Sequence, residues 1–381
     1  RPVLNATDGG VPSRRRATIA TLALTAAICL HAFIQSTLGG PLRAAETGRS
    51  REDIMRLAKL LAPFAFAAIV TAGSAFSAFA QVEVKFGHVG EPGSLFDLSA
   101  QEFAKRANAK LAGKAKVTVY GSSQLGGDSE LLKKLKLGTV DLALPSTVMS
   151  SQVPAFGVFE MPYLVKNRDH MAKIRDQVVV PTMLPIAEKA GYRIIGVWEN
   201  GFRQITNSKH PIKVPDDLKG LKLRVPGGVW RVKMFKAYGA NPSPLALSEV
   251  FVALQTGVMD AQENPLAQIY PSRFYEVQKY LSMTGHVYTP AYVTAGASWS
   301  KFPADVQKIL KDTAVEMQPE VYKIAAGLDE SLLKKLKDAG MQVNEADKDA
   351  FIKASKPIYD EFAKDVPGGK ELIDKSLALG K

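Results

Sequence analysis

Strand and helix periodicities alternate from Val82 to Leu144, and this alternation limits the architecture more than any other feature of the chain. Val82, Val84 and Phe86 alternate with charged residues and stop at Gly87, which reads as a strand. Gly90 to Ser94 form a turn, and Leu95, Leu98, Phe103, Ala107 and Leu111 then recur at helical spacing. Val117 and Val119 mark a second strand. Ser122 to Gly127 form a loop, and Asp128 or Ser129 can cap a helix carrying Leu131, Leu132 and Leu135. Val140 to Leu144 make a third, apolar strand. Strand, helix, strand, helix, strand implies parallel strands joined by crossover helices, an α/β sheet.

The pattern continues along the chain. Asn167 to Ala190 read as largely helical, with Pro181 and Pro185 as breakers. Tyr192 to Trp198 read as a strand, and Glu199-Asn200-Gly201 as its exit and a crossing point between lobes. Gly220 to Val225 supply a strand, and Gly227-Gly228 open a helix from Trp230 to Tyr238. Ser248 is placed to cap a helix through Gln255. Pro303 suits the first turn of a long helix running to about Leu328. Helical spacing returns at Leu332–Leu336 and Phe351–Phe362. A length of 381 residues fits two lobes plus an extra segment.

That extra segment is N-terminal. From Met55, Arg56 and Lys59 precede an apolar run from Leu60 to Ala72, and Ala78-Phe79-Ala80 fits the small-x-small rule for signal cleavage. The expected mature chain begins at Gln81, after cleavage behind Ala80, in the periplasm. The apolar run is too short for a membrane anchor. Residues 1–54, which begin with Arg1 rather than Met, are expected to be upstream sequence translated in frame. The formal net charge is +12, but the first 80 residues hold 9 Lys+Arg and 4 Asp+Glu. The remainder carries 40 basic and 33 acidic groups, a mildly basic balance with no clustered basic and aromatic stretch for nucleic acid. A modest positive field favours encounter with anionic solutes. The single cysteine, Cys29, lies outside the mature chain, so no disulfide framework, thiol nucleophile or cysteine metal site is expected there.

Enzymatic machinery is not visible. Gly87-His88-Val89-Gly90 with Gly93 has the wrong spacing for a dinucleotide loop and reads as a tight strand-to-helix turn. None of His88, His170, His210 and His286 has a partner at metal-ligand spacing, though His88 at a strand end could touch a ligand. No Gly-x-Ser-x-Gly elbow occurs. Two arginines stand in uncharged settings. Arg224 closes the apolar run Leu221–Pro226 just before a Gly-Gly helix entry, where a bidentate guanidinium and a helix N-terminus together suit a carboxylate. Arg203 follows the Asn200-Gly201-Phe202 turn. Taken alone, an arginine in such a place is more often an ordinary salt-bridged one. Asn264, before Pro265, can equally be a helix cap.

Longer runs carry a resemblance. Leu218–Pro226 (LKGLKLRVP), Leu245–Pro265 (LALSEVFVALQTGVMDAQENP), Gly201–Asn207, Tyr120–Gly126 and Phe274–Lys279 strongly resemble the DctP family of solute-binding proteins from TRAP (tripartite ATP-independent periplasmic) transporters. The resemblance covers essentially all of 82–381. It implies an α/β fold of two lobes around an interlobe cleft, with crossing strands and a long bridging helix. The lobes would be 81–201 with 290–329, and 202–289 with 330–381. It implies that Arg224 pairs with a ligand carboxylate, that Arg203 and Asn264 line the pocket, and that Gly228, Trp230, Val89, Asp128, Ser146, Leu247 and Phe251 lie near it.

The implied function is periplasmic capture of a small organic carboxylate and its delivery to TRAP membrane permease subunits, driven by an ion gradient. No catalysis, cofactor or metal is expected, and the protein is expected to be a monomer. Ser146 and Val89 stand where sialic-acid-binding relatives have glutamate and asparagine, so sialic acid is not the expected ligand. Trp230, Leu247 and Phe251 suggest an apolar sub-pocket, hence an aromatic or hydrophobic monocarboxylate or 2-oxo acid, with a C4-dicarboxylate as close second. The alternatives are a sensory protein that presents ligand to a receptor kinase, or a secreted enzyme acting on organic acids.

Overall fold

The computed structural model describes residues 82–381. The expected upstream segment 1–54 and the expected signal segment 55–80 lie outside the described residues. The chain opens with β1 (Val82–Gly87), α1 (Leu95–Leu111), β2 (Ala115–Tyr120), α2 (Asp128–Leu137) and β3 (Leu142–Ala143). Two 3-10 turns, Thr147–Ser151 and Pro154–Glu160, lead to α3 (Arg168–Ile174), a π-helical stretch Arg175–Met183, α4 (Leu184–Lys189) and β4 (Arg193–Asn207). Then come β5 (Lys222–Val225), α5 (Val229–Ala237), β6 (Asn241–Pro244), α6 (Leu247–Gln255), β7 (Ala261–Pro265) and α7 (Leu266–Ile269). The chain closes with β8 (Tyr280–Met283), β9 (Tyr288–Ala295), α8 (Ala304–Glu316), α9 (Gln318–Asp338), β10 (Gln342–Glu345), α10 (Lys348–Asp365) and α11 (Gly369–Ala378).

Local chemistry explains the first units. The Ser94 hydroxyl accepts from the Asp97 amide at 3.2 Å and caps α1. Behind that cap, Phe96, Ala100, Phe103, Ala107 and Leu111 form one buried face. Phe103 meets Phe86 of β1 edge-on at 5.5 Å and Trp198 of β4 at 5.8 Å, fixing helix to sheet.

The sheet is mixed rather than parallel throughout. β1 pairs in parallel with β2 and β3, as the alternating pattern implies. β9 then pairs antiparallel with both β3 and β4. A crossover helix signals its parallel neighbours locally. A strand that arrives from about 150 residues downstream leaves no such local mark. On the other side of β4 lie β7 and β8, both antiparallel to it, with β5 between β7 and β6 in parallel.

β4 therefore belongs to both halves of the sheet. It does not exit at Glu199-Asn200-Gly201, as the breaker residues suggested, but continues to Asn207. Those residues instead hold a register shift against β9 between Glu199 and Gly201. Gly201 sits at φ 123°, a conformation that favours glycine. The third strand is shorter than 140–144. Its pairing nevertheless extends through the bonds Asp141 N to Lys85 O and Leu144 N to Gly87 O.

Other expectations shift at element ends. Gly127, not Asp128 or Ser129, is the N-cap of α2, and no side chain caps it. Ala246, not Ser248, caps α6, with the Glu249 carboxylate accepting from the Ala246 amide at 3.3 Å. The helix expected from Pro303 to about Leu328 is two helices meeting at Met317, with Pro319 tolerated in the first turn of α9. α9 absorbs Leu332–Leu336 and packs on β4, α1 and α7, so it bridges both halves of the sheet. Pro181 lies within the π-helical stretch rather than ending the helix. Among the described residues, no helix is long and apolar enough to cross a membrane.

Candidate ligand-binding site

β5 places Arg224 in register with Gln262 of β7 and Ser243 of β6. Its side chain is 3% exposed. Nε and Nη2 donate to the Leu245 carbonyl oxygen at 2.9 and 2.6 Å. Among the described residues no carboxylate pairs with Arg224, and no hydrogen bond engages its Nη1. Burial, with the neighbouring charge of Arg203, lowers its pKa to about 9, so it stays cationic at neutral pH. A buried guanidinium held by one carbonyl retains the capacity to pair with an anion.

Arg203, on β4, is held differently. Its Nη2 donates to Glu263 Oε1 and to Asn264 Oδ1, both at 3.0 Å. Glu263 also takes Arg231 of α5 at 2.6 Å and His286 at 3.1 Å, and Arg231 reaches Glu160 at 2.8 Å. Burial opposes ionisation of Glu263, but Arg203 and Arg231 outweigh it and hold its pKa well below the usual carboxylate range. Burial pushes His286 down to about 4, so it sits in this network as a neutral imidazole. The four charged residues Arg203, Glu263, Arg231 and Glu160 balance one another, which leaves Arg224 the uncompensated cation. Asn264 is committed twice, since its amide nitrogen donates to Gln262 Oε1 at 2.7 Å. It is not a helix cap; it fixes Arg203.

The two arginines open onto one cavity. It is small, with a volume of about 30 Å³. Seven of the eleven residues singled out in the sequence line it: Arg203, Arg224 and Asn264, with Val89, Asp128, Ser146 and Leu247. Ser146 is spent internally, donating to the Pro290 carbonyl at 2.7 Å and accepting from Asn200 at 3.2 Å. Asp128 is half-buried as a residue, yet its Oδ1 is sealed from solvent with no partner. Desolvation raises its pKa to about 7, against the pull of Arg224 and Arg203.

The other four stand outside the cavity wall. Trp230 packs edge-on against Phe362 at 5.1 Å and carries Lys233 on its ring face at 4.6 Å. Phe251 is half-buried against the core. His88 is buried, and burial outweighs the Asp97 charge and the Gly90 backbone to keep it neutral with a pKa of about 4. Its ring fills the space a side chain at Gly121 would take. Gly228, at φ 140°, lets the start of α5 approach Ser150, whose Oγ would lie 3.1 Å from an added Cβ.

Sequence reasoning missed Phe96, Thr147, Asn200, Pro226 and Gln268, which also line the cavity. Pro226 lies inside the LKGLKLRVP run and Asn200 one residue before the GFRQITN run, so proximity to a motif could have found both. Thr147 and Gln268 carry no such signal. Among the described residues, no cluster of three or more His, Cys, Asp or Glu could hold a metal ion.

Residues 86–365 match the family described as bacterial extracellular solute-binding protein, family 7, DctP. The 2,3-diketo-L-gulonate-binding periplasmic protein YiaO of Escherichia coli K12 is 31% identical over 301 residues, covering 78% of this chain and 92% of its own. A solved TRAP periplasmic solute-binding protein from Polaromonas sp. JS666, bound to D-erythronate, aligns with TM-score 0.75 at 33% identity, covering 78% of this chain and 99% of its own. Another, from Sulfurospirillum deleyianum with bound succinate, aligns with TM-score 0.75 at 35% identity, covering 79% and 99%. The two-lobed α/β architecture, the charge-lined cavity and the match over most of the described residues lead to one assignment: the chain belongs to the DctP family of TRAP transporter solute-binding proteins.

Proposed function

We propose that this chain captures a small organic carboxylate at Arg224 and Arg203 and hands it to TRAP membrane permease subunits for uptake driven by an ion gradient. The observation that carries this reading is the buried, unpaired guanidinium of Arg224. The chain is a binding protein for transport and not an enzyme. The similar proteins named above bind diketogulonate, erythronate and succinate, all small carboxylates.

In this proposal the lobes are 81–201 with 290–329, and 202–289 with 330–381. β4 and α9 tie them together. Carboxylate docking gives each lobe contacts that the open cleft lacks, and closure follows from that difference in affinity. Met55–Ala80 would direct export to the periplasm and be removed after Ala80, and the mature protein would act as a monomer. For the aromatic or hydrophobic monocarboxylate or 2-oxo acid expected from the sequence, the cavity offers little apolar wall. Trp230 and Phe251 stand away from the cavity, and eight of its twelve lining residues are polar or charged. A C4-dicarboxylate is supported by the succinate-bound relative rather than by a second free cation, because Arg203 on the same wall is already paired with Glu263.

Isothermal calorimetry against a panel of small acids tests the proposal. Arg224→Met should cut affinity at least ~100-fold, since a desolvated anion would be left without its partner. Unchanged affinity in that variant would reject the role of Arg224.

A further inference from the structure

Four residues that line the cavity each carry a polar atom buried without a hydrogen-bond partner: Asp128 Oδ1, Asn200 Oδ1, Gln268 Oε1 and Thr147 Oγ1. Asn200, Gln268 and Thr147 are 5%, 2% and 7% exposed. Buried polar atoms in folded proteins are nearly always paired, so four orphans on one small wall require a common explanation. Their types are informative. The Asn200 amide cannot turn round: its nitrogen donates to Ser146 Oγ, whose own proton is committed to the Pro290 carbonyl. Asn200 Oδ1 is therefore a fixed acceptor. A carboxylate oxygen such as Asp128 Oδ1 is an acceptor too. The Gln268 amide and the Thr147 hydroxyl can act in either direction. A ligand that pairs with this wall must bring hydrogen-bond donors as well as its anionic end.

We infer that the cavity is built for a carboxylate carrying several hydroxyl groups, an aldonic-type acid whose carboxylate meets Arg224 and whose hydroxyls donate to Asp128 and Asn200 and pair with Thr147 and Gln268. The inference rests on the carboxylate-capture reading and narrows it. An alkanoate or an unsubstituted dicarboxylate has no donor for Asp128 and Asn200, so it would bury those two acceptors unpaired, and sites built for hydroxyls reject such analogues steeply. The high pKa of Asp128 fits the same picture, because a proton or a ligand hydroxyl can each relieve its sealed oxygen.

The test compares matched acids on residues 81–381, freed of any carried ligand by unfolding and refolding. Erythronate is paired with butanoate, gluconate with hexanoate, and succinate is added. At least one hydroxylated acid should bind ~100-fold or more tightly than its deoxy partner and than succinate. Thr147→Val, which keeps the side-chain shape, should weaken the hydroxylated acid ~10-fold and leave the deoxy acid unmoved. Gln268→Leu should do likewise. If butanoate, hexanoate or succinate binds as tightly as the hydroxylated acids, the inference is overturned while carboxylate capture stands. If every acid binds weakly and Arg224→Met changes nothing, both readings fall together.

Discussion

Arg224 carries a positive charge into the interior with only the Leu245 carbonyl oxygen against it. Such a group serves binding at the expense of stability. Arg224→Met should therefore raise the stability of the ligand-free protein, by on the order of 1–3 kcal/mol, while removing ligand binding. Urea titration of both proteins without ligand checks this. Asp128 gives a pH-dependent counterpart. Its folded pKa, about 7, lies above its ordinary value of 3.8, so the folded state holds the proton more tightly than the unfolded one. It thus costs stability progressively as pH rises from about 4 to about 7, and the full cost persists above that. Asp128→Asn should exceed the native protein by on the order of 1–2 kcal/mol at pH 8, after allowing for its partial exposure, and the gap should close towards pH 4. A gap independent of pH would contradict the cause assigned here.

The elements show what a sequence can and cannot disclose. β1, α1, β2 and α2 were legible because each is specified by its own residues: period-two valines, a Ser94 cap, leucines at helical spacing. Phe103 lies at the centre of that unit, and Phe103→Ala should cost about 3–5 kcal/mol, measured by thermal unfolding. The continuation of β4 was not legible. Asn200 and Gly201 are ordinary strand breakers, and only pairing with β7, β8 and β9 turns them into an irregularity within one strand. The lining of the cavity was legible in part for the same reason. Arg203, Arg224 and Asn264 sit inside long motif runs. Thr147 and Gln268 reach the cavity through the packing of a 3-10 turn and a four-residue helix, which no local spacing announces. Trp230 and Phe251 do not line the cavity, since an aromatic residue close in sequence to a buried arginine serves core packing as readily as a cavity wall.

At the scale of the molecule, two halves of one sheet meet along β4, with α9 across both. Gly228 brings the start of α5 close to Ser150, whose Oγ would lie 3.1 Å from an added Cβ. Ligand at a hundred times its dissociation constant should add about 2.7 kcal/mol to stability, a rise of several degrees in Tm. Small-angle scattering should show a smaller radius of gyration with bound acid than without. An unchanged radius would mean that the free protein already rests closed.

The position of β9 governs how the chain can be made. Tyr288–Ala295 slots between β3 and β4, the third and fourth strands to leave the ribosome. Until about residue 295 has emerged, those two strands have no neighbour to join them, and the hydrophobic layer around Phe86 and Trp198 rests on a sheet with a missing stave. Most of the polypeptide must therefore be synthesised before its first half can lock, which keeps the nascent chain pliable for much of its synthesis.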